Sequence, residues 1–184
     1  MSDTDNLKVI GKSRRRVDGA AKVTGQTQFA DDIILPRMLH CKLLRSHVPH
    51  ANIKKVNITR AENYPGVKLV LTGNDFPNEY GILPVSQDER ALCKDKVRFV
   101  GDPVAAVVAI DEITTEEAMN LIEVEYEALP TIADPIEGLN TPESRLHEYS
   151  EEGNIHKRLS YEFGDVEEAL EKSAHVFEDT FFFE

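Results

Sequence analysis

Apolar and polar positions are most sharply patterned between Val97 and Pro130. Val104 to Ile110 is an almost unbroken apolar run, the signature of a strand covered on both faces. Thr114 followed by Glu117 has the spacing of a capping box and predicts a helix over 115–121. Ile122, Val124 and Tyr126 then alternate with Glu123, Glu125 and Glu127, the period of a strand with one wet face. Strand, helix and strand in so short a span predict a compact crossover unit.

The same reading extends along the chain. Asp18-Gly19 and Thr24-Gly25 are turn signals, and Gln26 to Ala30 reads as a short strand entering Asp31-Asp32. Strands are expected at Met38–Leu44, around Ile53, Val56 and Ile58, and at Val67–Leu71, with a helical turn over 59–63. Residues 73–96, punctuated by Pro77, Gly81 and Pro84, form the longest stretch without periodicity; loops of that length inside a domain are usually functional or disordered. Gly101, between two apolar strands, marks a bulge or a close backbone approach. After Pro130 an extended connector runs to Gly153. A strand near 158–163, a helix over 166–173 capped by Asp165 and a strand from His175 follow. Three phenylalanines, Phe181 to Phe183, close the sequence. A bare aromatic strand end is an aggregation liability, so the natural chain is expected to continue or to be covered by a partner.

Composition narrows the function classes. Lys and Arg total 21 against 33 Asp and Glu, a formal charge of −12 that repels nucleic acid and anionic lipid. No apolar run approaches the roughly 20 residues a membrane helix needs. The polar, acidic start lacks the features of a secretory signal, which makes the cytoplasm the expected location. The basic cluster Arg14, Arg15 and Arg16 is either a solvated stretch or a docking patch for an acidic partner or subunit.

Candidate chemistry is sparse. Two cysteines, Cys41 and Cys93, are too few for a disulfide scaffold or a four-thiolate metal site, and no sequence neighbour depresses either thiol. His40, Cys41, His47 and His50 have metal-ligand side chains, but His40 and Cys41 point to opposite faces of a predicted strand and cannot share an ion. Glu123, Glu125 and Glu127 share a hydrated face rather than the divergent environments that an acid–base pair needs. Neither a dinucleotide-binding glycine motif nor a phosphate loop is present. No catalytic or metal residue is assigned, and the residues alone describe an acidic α+β domain with one long loop.

Six segments, in order, carry a resemblance: Arg16 to Gly25, Phe29 to Ile33, Leu39 to His50, Pro65 to Val67, Val97 to Ala109 and Ile122 to Pro130. Together they resemble the molybdopterin-binding large subunit of the xanthine dehydrogenase and aldehyde oxidase family. The resemblance implies an a/b hammerhead: an α+β fold with a curved mixed sheet and a short crossover helix, plus an extended C-terminal linker segment. It divides the chain into a flexible lead (1–14), the hammerhead (15–136), and a linker with a first strand–helix–strand (137–184) leading into a molybdopterin-binding domain. The implied enzyme is a molybdenum-dependent oxidoreductase carrying a molybdenum–molybdopterin cofactor, with iron–sulfur clusters and FAD in partner subunits or domains. The family's base glutamate and glycine-rich cofactor segments lie downstream of the hammerhead, so this segment is expected to be inactive alone. Its implied task is to wall the substrate channel, through Ile82, Leu83, Val85 and Ser86, and to meet the iron–sulfur and FAD-binding subunits, through Arg14, Arg15 and Arg16. The tail is similar to that of members acting on an aromatic CoA thioester; aldehydes, xanthine and nicotinate are alternative small-molecule substrates, and a non-enzymatic interaction domain is an alternative role. His47 after Arg45-Ser46 and Asp102 after Gly101 depart from the family's usual residues.

Overall fold

The computed structural model describes residues 7–81, 87–149 and 152–183. Helix α1 (Gly19–Val23) is followed by strands β1 (His40–Arg45) and β2 (Ala51–Asn57), helix α2 (Thr59–Glu62) and strand β3 (Val67–Thr72). Strands β4 (Lys96–Val97) and β5 (Pro103–Ala109), helix α3 (Glu112–Met119) and strand β6 (Glu123–Ala128) come next, then helices α4 (Pro135–Asn140) and α5 (Val166–Lys172).

The α+β class and the buried central strand are as expected. Among the described residues, however, the strands form two three-stranded sheets, β1-β5-β3 and β4-β2-β6, with antiparallel pairing throughout rather than one mixed sheet. The segment β5-α3-β6 is therefore no crossover within a sheet; α3 hands the chain from the first sheet to the second. Apolar residues on both faces of β5 explain its place: with neighbours on each edge, Val104, Ala105, Val107 and Ala109 are fully buried. Val107, Ala105 and Val70 pack with Ala61, Ala118 and Ile122 in one core cluster, while Val97, Val104, Ala51 and Cys93 form a second. Val56 and Val124 touch both clusters and join them.

Helix α3 begins three residues before its expected start. Asp111, not Thr114, is the N-cap, and its carboxylate accepts the Thr114 amide at 2.7 Å. An Asp in extended backbone satisfies an orphan amide better than a Thr already inside the first turn. Glu117 instead accepts the Tyr64 hydroxyl at 2.6 Å and ties α3 to the turn after α2. Asp111→Ala is expected to cost about 1 kcal/mol, read as a lowered urea midpoint at unchanged slope.

Other expectations fail where no partner strand is present among the described residues. Residues 26–30 form no strand; Ala30–Asp32 is a single 3₁₀ turn closed by the Phe29 amide donating to the Asp32 carboxylate at 2.9 Å. Residues 158–163 and 175–183 are likewise not strands, whereas α5 and its Asp165 cap match the expectation. The connector after Pro130 contains α4, capped by Asp134 through two amides. Gly101 has φ +98° with open space where a Cβ would sit, so it serves the turn and not a close approach. The irregularity lies just beyond it in β5, where Leu44 pairs with Ala105 and Arg45 with Pro103 so that Val104 is the extra residue, and the Arg45 guanidinium reaches the Gly101 carbonyl at 2.8 Å.

Candidate functional site

The expected channel residues Ile82, Leu83, Val85 and Ser86 lie outside the described residues. Tyr80 and Glu89 exchange both backbone hydrogen bonds, at 2.9 and 3.0 Å, and Arg90 pairs with Glu79 at 2.5 Å. Tyr80 and Glu89 are thus joined, and after them the Cys93 amide donates to the Pro103 carbonyl at 2.7 Å and ties the following segment to β5.

Beside this loop root opens a cleft of about 520 Å³, bounded by Asn52, 79–80, 88–91, 93–96, 98–99, 102–103 and His147-Glu148. His147 and Glu148, at the end of the segment 138–149, form its outer rim. The Asn154 side chain organises that segment by accepting the Leu146 amide at 3.0 Å and donating to the carbonyls of Gly138, Thr141 and Ser144. Gly153, at φ +70°, passes so close to Pro142 that a Cβ would stand 2.8 Å from the proline Cβ. The rim is fastened to β4 and its flank by charge. Lys96 Nζ donates to the Arg145 carbonyl at 2.6 Å and to Glu148 at 2.8 Å. Arg98 Nε donates to the Leu146 carbonyl at 2.7 Å, and its Nη2 reaches Glu148 at 3.2 Å. His147 Nδ1 bonds Asp88 at 2.7 Å, and Arg98 lies 3.7 Å from the same carboxylate.

These contacts shift the titration of Glu148. Burial pushes its carboxyl up, but the bonds to Lys96 and Arg98 outweigh that and hold it below its ordinary 4.5. A carboxylate with a depressed folded-state pKa stabilises above the unfolded value and loses that contribution as pH falls through the depressed one. Amide exchange over 145–149 is therefore expected to stay slow at neutral pH and to quicken only below pH 4.5, after correction for intrinsic rates.

At the cleft floor Cys93 is buried, and burial, then the neighbouring Asp102 carboxylate, pushes its thiol up to about 12. It is a protonated, inert sulfur at neutral pH, whereas Cys41 is exposed. At pH 8 iodoacetamide is expected to modify Cys41 and to spare Cys93 until the fold opens, read by peptide mass. Equal labelling in the folded protein contradicts this placement.

The remaining candidates do not converge. His40 stands 3.8 Å from Glu112, His47 lies edge-on to Tyr126 at 5.5 Å, and buried His50 bonds the Pro130 carbonyl through Nδ1 at 2.7 Å. Among the described residues no three His, Cys, Asp or Glu side chains are grouped to hold a metal. Glu123 and Glu127 face solvent in pairs with Arg60 and Lys54. Arg14, Arg15 and Arg16 are exposed; Arg14 bonds the Lys8 carbonyl and Arg16 pairs with Asp18 at 2.6 Å. Lys96, Arg98, Asp88, His147 and Glu148 were not legible as a group. Lys96, Arg98 and Asp88 meet Glu148 and His147 from positions 50 to 59 residues away, and no local spacing signals it.

Residues 24–130 match the family described as aldehyde oxidase and xanthine dehydrogenase, a/b hammerhead domain. The chain belongs to that family. It is 44% identical over 176 residues to a probable xanthine dehydrogenase subunit of Bacillus subtilis, covering 94% of this chain and 23% of the relative. It is 38% identical over 182 residues to the nicotinate dehydrogenase large molybdopterin subunit of Eubacterium barkeri, covering 96% of this chain and 41% of the relative. Among solved structures, quinoline 2-oxidoreductase from Pseudomonas putida 86 superposes with a TM-score of 0.77 at 33% identity, over 90% of this chain and 22% of that one. The chain thus spans between about a fifth and two fifths of the length of these relatives.

Proposed function

We propose that these residues are the hammerhead portion of the molybdenum-binding subunit of a molybdenum-dependent oxidoreductase, and that they shape access to a reaction centre held by other segments. The observation that carries this reading is the hammerhead match over 24–130, within relatives named as molybdopterin or xanthine dehydrogenase subunits.

Does this segment itself fit the molybdenum–pterin group? The cleft beside the loop root is lined by the carboxylates of Glu79, Asp88, Glu89, Asp95, Asp102 and Glu148 against the cations Arg90, Lys94, Lys96 and Arg98. Arg90, Lys96 and Arg98 are already paired with carboxylates. A phosphate-bearing pterin would add charge to a surplus of its own sign, so the residues do not fit the group, and no reaction step is assigned to them. Molybdenum–molybdopterin is proposed for the larger protein, with iron–sulfur clusters and FAD in partner subunits. Arg14, Arg15 and Arg16 are proposed to face the iron–sulfur partner, and Ile82, Leu83, Val85 and Ser86 the channel.

Two substrate readings follow. Hydroxylation of a purine or nitrogen heteroaromatic, or of an aldehyde, is favoured by the relatives named for xanthine and nicotinate, by the structural likeness to quinoline 2-oxidoreductase and by the family that is named for aldehyde oxidase. Reductive removal of an aromatic hydroxyl, as in 4-hydroxybenzoyl-CoA reductase, rests on the wording of the tail alone. Steady-state turnover by the complete complex separates them: oxidation of xanthine, nicotinate or an aldehyde supports the first, and reduction of 4-hydroxybenzoyl-CoA with none of these oxidised supports the second. Absence of all these activities in a fully metallated complex supports a non-enzymatic interaction role.

A further inference from the structure

We propose that Lys96 and Arg98 form a binding site for the carboxylate of a small, otherwise apolar acid, and that Glu148 is its built-in competitor. The two cations hold the Glu148 carboxylate by one oxygen each, at 2.8 and 3.2 Å, the bridging arrangement an incoming carboxylate would take. Burial is unequal across the contact. The side chains of Lys96 and Arg98 are 12% and 22% exposed, whereas that of Glu148 is 63% exposed. The cations belong to the body of the fold, and the carboxylate is brought to them from outside.

The Asn154 side chain holds the Leu146 amide and the Ser144 carbonyl independently of Glu148, so releasing the Glu148 carboxylate leaves those bonds in place. Replacing one carboxylate by another leaves the charge of the acidic cleft unchanged, which a phosphate would not. The cleft, at about 520 Å³, is of small-molecule size. Tyr80, Phe99 and Pro103 on its walls supply apolar surface for the rest of such a ligand. This inference concerns a side site and stands apart from the molybdenum reading.

The test uses the complete subunit, with benzoate as probe and benzamide, its neutral counterpart of like shape, as control. Hydrogen exchange is followed by mass spectrometry over 88–98 and 144–149. Benzoate is expected to slow exchange around 96–98 and to speed it over 144–149, with benzamide doing neither. Glu148→Gln is expected to bind benzoate about tenfold more tightly, the correction for a site free only a tenth of the time. Lys96→Met is expected to lose the benzoate effect in the Glu148→Gln background. Identical responses to benzoate and benzamide overturn the proposal. So does a Glu148→Gln variant whose rim loosens but whose benzoate affinity does not rise, because Glu148 is then a structural tie alone.

Discussion

Val107→Asp is expected to abolish folding of the segment. Val107 is fully buried in the central strand of the first sheet, with β1 on one edge, β3 on the other, and α2 and α3 contributing Ala61 and Ala118 to its surroundings. An aspartate there has no cation or donor to pair with. Ionised, it costs several kcal/mol; protonated, it still leaves a polar group without partners where apolar contacts were. A loss of that size is a large share of the roughly 5–15 kcal/mol by which domains are stable. In the complete subunit the readout is soluble yield and protease resistance of residues 40–128. Val107→Ala, which only opens a small cavity, should fold and show a lowered urea midpoint, about 2 kcal/mol down. Wild-type protease resistance in Val107→Asp contradicts the placement of β5.

Gly73→Ala is the second large effect, and its cause is different. Gly73 is buried where β3 ends, and a Cβ there would stand 2.6 Å from the Cys93 carbonyl oxygen and 2.6 Å from the Lys94 Cα. Both are backbone, so no side-chain rotation relieves the clash. Either β3 or the 93–94 segment must shift, and the second holds the floor of the cleft. A loss of about 3 kcal/mol is expected, at the upper end for overpacking. Gly138→Ala is the internal control: its Cβ would meet only Ile132 at an ordinary 3.4 Å, so it should be neutral or slightly stabilising. Equal effects at the two positions would show that chain entropy, and not the contact with 93–94, decides the result.

How much of this could be read from residues alone depends on how local each signal is. The apolar run at 104–110 announced a doubly covered strand because burial on two faces leaves no polar positions. The alternation from Ile122 to Glu127 announced β6 for the matching reason. Those patterns carry no information on partners, and so a helix between two strands read as a crossover within one sheet when it bridges two. Asp111 was overlooked as a cap because Thr114 and Glu117 gave a plausible box three residues later. Residues 26–30, 158–163 and those from His175 have strand-like composition but meet no strand edge among the described residues. The cleft was harder still. Lys96 ends a stretch that looks structureless, Arg98 opens the patterned segment after it, and Glu148 sits in a connector without periodicity. Only the antiparallel pairing of β4 with β2, and the four bonds made by the Asn154 side chain, bring them together.

The central claim is that this segment frames a molybdenum centre without holding it. The most direct measurement is molybdenum and pterin per mole of protein, in the complete subunit and in residues 1–184 purified from the same cofactor-producing host. The account predicts near-stoichiometric cofactor in the complete subunit and only traces in the shorter polypeptide. Stoichiometric molybdenum and pterin in residues 1–184 would contradict it.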